Sequence, residues 1–183
     1  SIFIASSTST GWLASTRSPG STSHFTTVPC IGAAEASADR ATDAYRRNLQ
    51  RAFLERMAEA AIDHGGLVDK FTGDGFMAVA GLLDPVEYPV HHAVTCAVDM
   101  LRIAAEVTDG WSVRIGIHEG PVVAGVLGRR QFQFDLWGDT VNTAARVEAY
   151  GVEGAVCVSS RAWREVERIP GIVGTSLGSV DMK

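Results

Sequence analysis

The triplet Gly73-Asp74-Gly75 constrains this chain more than any other feature. It stands between two β-like runs, residues 67–72 and 76–80, and Asp-Gly is a common dipeptide of tight hairpin turns. Ahead of this hairpin, Tyr45, Leu49, Phe53, Met57 and Ala61 recur every four residues, with Ala52 and Ala60 beside them; Gly65-Gly66 ends that helical stripe. Behind it, Val90, Ala93, Val94, Ala97, Leu101, Ala104 and Ala105 mark a second amphipathic helix, entered after Pro89. Trp111, Val113, Ile115 and Ile117 then alternate with polar or small residues, as in a half-buried strand. Glu119-Gly120-Pro121 turns the chain into a strand over 122–126, and 132–137 reads as another. Asp139 is placed to cap a helix running to about Tyr150, closed by Gly151. Residues 156–158 read as a strand and 161–168 as a short helix. Hairpins interleaved with helices predict an α+β fold, an antiparallel-rich sheet with helices packed on one face; a doubly wound parallel fold would lack the hairpins.

The first forty residues break this pattern. Ser and Thr crowd them, Asp and Glu are absent until Glu35, and only residues 1–5 suggest a strand, so loop is the expectation for the rest. The sequence thus divides into an atypical, poorly ordered segment over 1–40 and one domain over 41–183.

Composition narrows the function. Apolar residues make up 46% and charged residues 20%, as in ordinary globular proteins, and a net charge of −5 argues against nucleic acid as a partner. No apolar run approaches the roughly eighteen residues that span a bilayer, so no membrane segment and a cytoplasmic location are expected. Cys30, Cys96 and Cys157 are far apart and form no CxxC pair, which reads as reduced buried thiols; the histidines form no HExxH pattern.

The candidate chemistry lies in two stretches. Lys70 falls four residues before Asp74, so one hairpin holds a cation and a carboxylate near one edge. A carboxylate on a rigid tip suits Mg²⁺, which takes few oxygen ligands from protein and the rest from water and phosphates, although a plain turn aspartate fits the spacing too. Asp135 sits between Phe134 and Leu136, where a carboxylate is costly to bury without a partner. Asn142 and Arg146 are four apart on the helix that follows and share a face, next to a stripe of Val141, Ala144 and Ala145. Arg129-Arg130 offers guanidinium forks suited to phosphate oxygens, or simply a solvated loop. The glycines at 116, 120, 125 and 128 make no P-loop.

The segments 65–76, 113–128 ("VRIGIHEGPVVAGVLG") and 132–148 (with "QFDLWGDTVNTAAR") resemble, in order and spacing, the catalytic domain of class III nucleotidyl cyclases, over about residues 41–183. The resemblance implies a ferredoxin-like cyclase core. It implies that Asp74 is one of two aspartates holding Mg²⁺ or Mn²⁺. Lys70 and Asp135 match the pair that reads the adenine edge, which points to ATP, since guanylyl cyclases usually carry a different pair. Asn142 matches the residue that orients the ribose. Arg146 matches the arginine that stabilises charge on the α-phosphate, and Arg130 matches a contact to the terminal phosphates. The implied reaction converts ATP to cyclic AMP and pyrophosphate at the interface of a homodimer or heterodimer of catalytic domains.

The chain departs from the family where the other metal aspartate should lie, in a segment resembling FxDIxGFT. Residues 26–35 hold no aspartate, and Ser6-Ser7 follows the strand-like residues 1–5 where the acid should come. Three readings follow: an impaired or inactive cyclase, serving as a dimerisation or nucleotide-binding module; a donor of the purine-reading half-site to another subunit; or a non-native stretch over 1–40. The terminal "LGSVDMK" resembles the start of the family's last hairpin, cut off at Lys183. A diguanylate cyclase shares the broad architecture, but its second acid is missing and it has no place for the Asp135 to Arg146 segment.

Overall fold

The structure is a computed structural model that describes residues 2–3, 11–16, 40–72, 75–107 and 113–179, with side-chain environments from Asn48 onward. Its elements in chain order are β1 (Ile2–Phe3), β2 (Gly11–Thr16), α1 (Arg40–Asp63), β3 (Gly66–Thr72), β4 (Gly75–Ala80), α2 (Pro89–Val107), β5 (Arg114–Glu119), β6 (Val123–Leu127), β7 (Gln133–Trp137), α3 (Asp139–Ala149), β8 (Ala155–Val158), α4 (Ser160–Val166) and β9 (Ile172–Gly178). Seven strands form one sheet in the order β3-β4-β1-β5-β8-β2-β9, and β6 and β7 form a separate two-stranded ribbon. Among the described residues, β5 and β8 pair in parallel and the other neighbouring strands pair antiparallel. This is the expected α+β architecture, although β6 pairs with β7 rather than turning back on β5 as the 119–121 turn suggested.

The core lies under α1, α2 and α4. Phe53 and Met57 from α1, Val94, Ala97 and Leu101 from α2, and Trp163 and Val166 from α4 meet Ile115 and Ile117 of β5 and Val156 and Val158 of β8. The four-residue periodicity in α1 selects that face, but the stripe is shifted: Leu54 and Ala58 are buried whereas Ala52 is exposed.

The sheet is covered on both faces at its centre, not on one. All four residues of β8 are buried. Alternation along a strand sends Ala155 and Cys157 to the face opposite Val156 and Val158. Gly116, registered with Cys157, shares that opposite face. There α3 packs against β5 and β8 through Ala144 and Val147. Ala145, expected beside them, is exposed. The close seat of α3 depends on Gly120, where a Cβ would lie 2.5 Å from the Thr140 hydroxyl oxygen. That hydroxyl donates to the Pro121 carbonyl and pins the start of the helix to the turn after β5.

Some boundaries differ from expectation. Gly138, at φ 133°, is the N-cap of α3 and makes no side-chain cap bond; Asp139 is the first helical residue, where its charge favours the helix N-terminus without capping it. Ser159 does cap α4, accepting from the Ala162 amide at 3.2 Å. The largest difference is β2. Gly11–Thr16 lies between β8 and β9, where the sequence suggested loop. Its Gly, Ser and Thr carry no periodic signal, and pairing on both sides overrides that weak local preference. Residues 1–5 do contain a strand, β1, paired with β4 and β5. Leu177 and Gly178 end β9, which pairs along β2; the residues from 180 onward lie outside the described residues.

Cys96 and Cys157 are free and buried, and burial pushes their thiols up to about 12 and about 11. Cys30 lies outside the described residues. Among the described residues, no helix is long and apolar enough to cross a membrane.

Candidate active site

The ribbon β6–β7 folds away from the main sheet and brings its second strand against the edge strand β3. At that meeting the Lys70 ammonium, on β3, contacts Asp135 Oδ1, on β7. The Asp135 oxygen also accepts from the Leu136 amide at 2.8 Å. Two residues 65 positions apart in the chain thus form one ion pair, with about a third of the Lys70 side chain and a fifth of the Asp135 side chain exposed. The hydrogen bond from Lys70, aided by that amide, holds the Asp135 carboxyl below the usual carboxylate range. The same bond raises Lys70 above the ordinary lysine value.

The sign of the pH dependence follows. Asp135, depressed in the fold, contributes stability above its unfolded value near 3.8, and that contribution is lost as pH falls through the folded value. Lys70, raised in the fold, contributes below 10.5 and loses its contribution as pH rises through the folded value. The pair is therefore expected to stay intact from about pH 5 to pH 10. A carboxyl ¹³C titration of Asp135 should show no inflection in that window; an inflection near neutrality would contradict the pairing.

The sequence did not single out Asp69. Between Val68, registered with Ala78, and Lys70, registered with Met77, β3 carries a bulge, and Asp69 is its extra residue. Its side chain is fully buried, with Oδ2 3.4 Å from the Lys70 ammonium. Apart from that Lys70 contact, neither carboxylate oxygen has a hydrogen-bond partner among the described residues. Burial raises its carboxyl above the ordinary value, and the Lys70 charge pulls the other way. No sequence signal pointed to it, because neighbours on a regular strand face opposite sides.

Asn142 and Arg146 both lie on the exposed side of α3, opposite buried Thr140, Ala144 and Val147. Gly138 joins that helix directly to the strand of Asp135. Arg130 is exposed in the turn between β6 and β7, which Gly128 closes at φ 110°; a Cβ there would lie 1.9 Å from the Gln131 carbonyl oxygen. Asp74 lies outside the described residues, although Thr72 and Gly75, which flank residues 73–74, are paired with each other. Among the described residues, no group of three His, Cys, Asp or Glu side chains could hold a metal ion. The described side chains therefore do not by themselves compose a cation site.

The ribbon and its connecting turn expose Val123, Val126, Leu127, Phe132 and Phe134, and Phe71 on β3 is exposed too. Phe132 is 75% exposed. Alternation sends Val126 and Phe134 to one face of the ribbon and Val123 and Leu127 to the other, so both faces carry open apolar side chains.

Comparison with known proteins identifies the kind of domain. Residues 48–183 match the model of the adenylate and guanylate cyclase catalytic domain. An adenylate cyclase of Mycobacterium tuberculosis (strain ATCC 25618 / H37Rv) is 34% identical over 137 residues, covering 70% of this chain and 31% of that protein. The chain thus spans about a third of the length of this curated relative. Among solved structures, the guanylate cyclase domain of RhGC from Catenaria anguillulae in complex with GTP is similar with a TM-score of 0.63 at 23% identity, covering 88% of this chain and 83% of that one. The adenylyl cyclase CyaB from P. aeruginosa is similar with a TM-score of 0.63 at 20% identity, covering 92% and 83%. This chain belongs to the adenylate and guanylate cyclase catalytic domain family.

Proposed function

We propose that this domain is of the adenylyl cyclase type, taking ATP at the interface of two catalytic domains and forming cyclic AMP and pyrophosphate. The observation that carries the substrate reading is the Lys70–Asp135 ion pair, a donor and an acceptor held at one spot on two different sheets. Adenine offers at one edge a ring nitrogen that accepts and an exocyclic amine that donates. Lys70 would serve the first and Asp135 the second. Asn142 would orient the ribose so that its 3′-hydroxyl faces the α-phosphorus. Arg146 would stabilise the negative charge that builds on the α-phosphoryl oxygens as pyrophosphate leaves, and Arg130 would hold the terminal phosphates. Mg²⁺ or Mn²⁺ would supply Lewis-acid activation when bound, with Asp74 as the ligand of this chain. The exposed ribbon with Phe71 supports assembly with a second domain, either another copy or a different cyclase subunit, because pairing would bury that apolar surface.

The lack of the first aspartate motif in residues 26–35 supports an impaired or inactive domain, a nucleotide-binding dimerisation module, or a half-site donor. One experiment separates these. The purified chain with ATP and Mg²⁺ or Mn²⁺ is expected to form little cyclic AMP alone. Mixed with a cyclase subunit that keeps both metal aspartates but has its own lysine and asparagine/arginine positions disabled, it is expected to restore turnover. Robust turnover alone would refute the impairment, and no turnover in the mixture would refute the half-site role.

A further inference from the structure

A regular β-strand would point Asp69 and Lys70 to opposite faces of the sheet. The bulge at Asp69 breaks that alternation and leaves the two charges 3.4 Å apart, with the carboxylate side chain wholly buried. Bulges beside functional sites commonly re-aim a side chain in this way. A buried carboxylate whose one contact is a 3.4 Å approach to a lysine already paired with Asp135 is a poor stabilising device. It calls for another explanation.

Lys70 and Asp135 neutralise each other in the structure. A purine read by both must come between them, so Asp135 has to release Lys70 in order to accept from the base. The ring nitrogen that Lys70 then meets is neutral, so the ammonium loses its counter-ion in a partly buried setting, which is unfavourable. Asp69 is the anion already in place.

We propose that Asp69 is a positioning residue for purine recognition: it takes over the Lys70 ammonium when Asp135 turns to the exocyclic amine, and so sets the preference for adenine over guanine. This rests on the reading of Lys70 and Asp135 as the base-reading pair. Guanine carries an N–H at the ring position that adenine leaves free to accept. An ammonium pinned by Asp69 opposes that donor with another donor, whereas an unpinned lysine swings aside. Burial favours the neutral form of Asp69 and the Lys70 ammonium 3.4 Å away favours the charged one, so the contact already present strengthens as Asp135 withdraws.

The test is calorimetric titration of ATP and GTP into the 183-residue chain and into Asp69→Asn, Asp69→Ser and Lys70→Ala, with thermal melts by circular dichroism. Asp69→Asn and Asp69→Ser are expected to weaken ATP about tenfold, to weaken GTP much less, and so to shrink the ATP-over-GTP ratio about tenfold. Melting temperatures should stay within about 4 °C of the parent. In the unaltered chain, the carboxyl ¹³C resonance of Asp69 should move on saturation with ATP, which decides the matter even if both variants fold poorly. If the Asp69 variants keep the ATP affinity and ratio while Lys70→Ala loses them, or if the Asp69 resonance stays still, Asp69 has no such role and the base-reading pair stands. If Lys70→Ala binds ATP as the parent does, the base-reading assignment fails and the proposal falls with it.

Discussion

Arg146→Ala is expected to cut cyclic AMP formation on the order of a hundredfold or more when this chain is mixed with a cyclase subunit that supplies both metal aspartates. Phosphoryl transfer leaves the protein little covalent work. Most of the catalysis is positioning and neutralisation of charge that develops on the α-phosphoryl oxygens. Arginine suits that task because its planar fork meets two oxygens at once and stays charged at any working pH. Arg146 lies on the exposed side of α3. Its loss should therefore leave the fold within about 0.5 kcal/mol of the parent, as is usual for surface changes. The expected signature is a collapse in kcat with an unchanged melt. A matching fall in melting temperature would show a structural role, and unchanged turnover would remove Arg146 from the site.

Phe53→Ala should instead act on stability. Phe53 is 1% exposed and sits where α1 meets the core. Truncating a phenylalanine there removes its transfer free energy and leaves a cavity that the surroundings fill only in part, at about 3–5 kcal/mol. For a domain of this size that corresponds to a melting temperature lower by roughly 10 °C. A calorimetric melt would check it; a shift under about 2 °C would mean that the α1 contact with the sheet is dispensable.

Much of the fold was legible because its signals are local. The four-residue recurrence in α1 and α2, the alternation in β5 and the glycine-bracketed turns each specify an element through its own periodicity. The placement of α3 on the opposite face was not legible. It depends on Gly120 leaving room, on Ala144 and Val147 finding the far face of β5 and β8, and on a parallel β5–β8 pairing that no local pattern encodes. Strand β2 was invisible for the same reason, since a Gly-, Ser- and Thr-containing segment becomes a strand only when both neighbours offer partners.

The site divides in the same way. Lys70, Asp135, Asn142 and Arg146 stood out by type and spacing, and their resemblance to a known family supplied roles. That Lys70 touches Asp135 was beyond the sequence, because the contact joins residues 65 apart across two sheets. Asp69 was hidden altogether, since a bulge is a mismatch between two strands and has no existence in one strand alone.

What the sequence by itself determined is the order and kind of the elements from α1 onward and the chemical types available to a site, because helix and strand periods and turn residues act over a few neighbours. What only the tertiary structure decided is which charges meet. Ion pairs, bulges and two-sided burial depend on distances between remote segments, and the chain acquires those distances only when its strands have found their register.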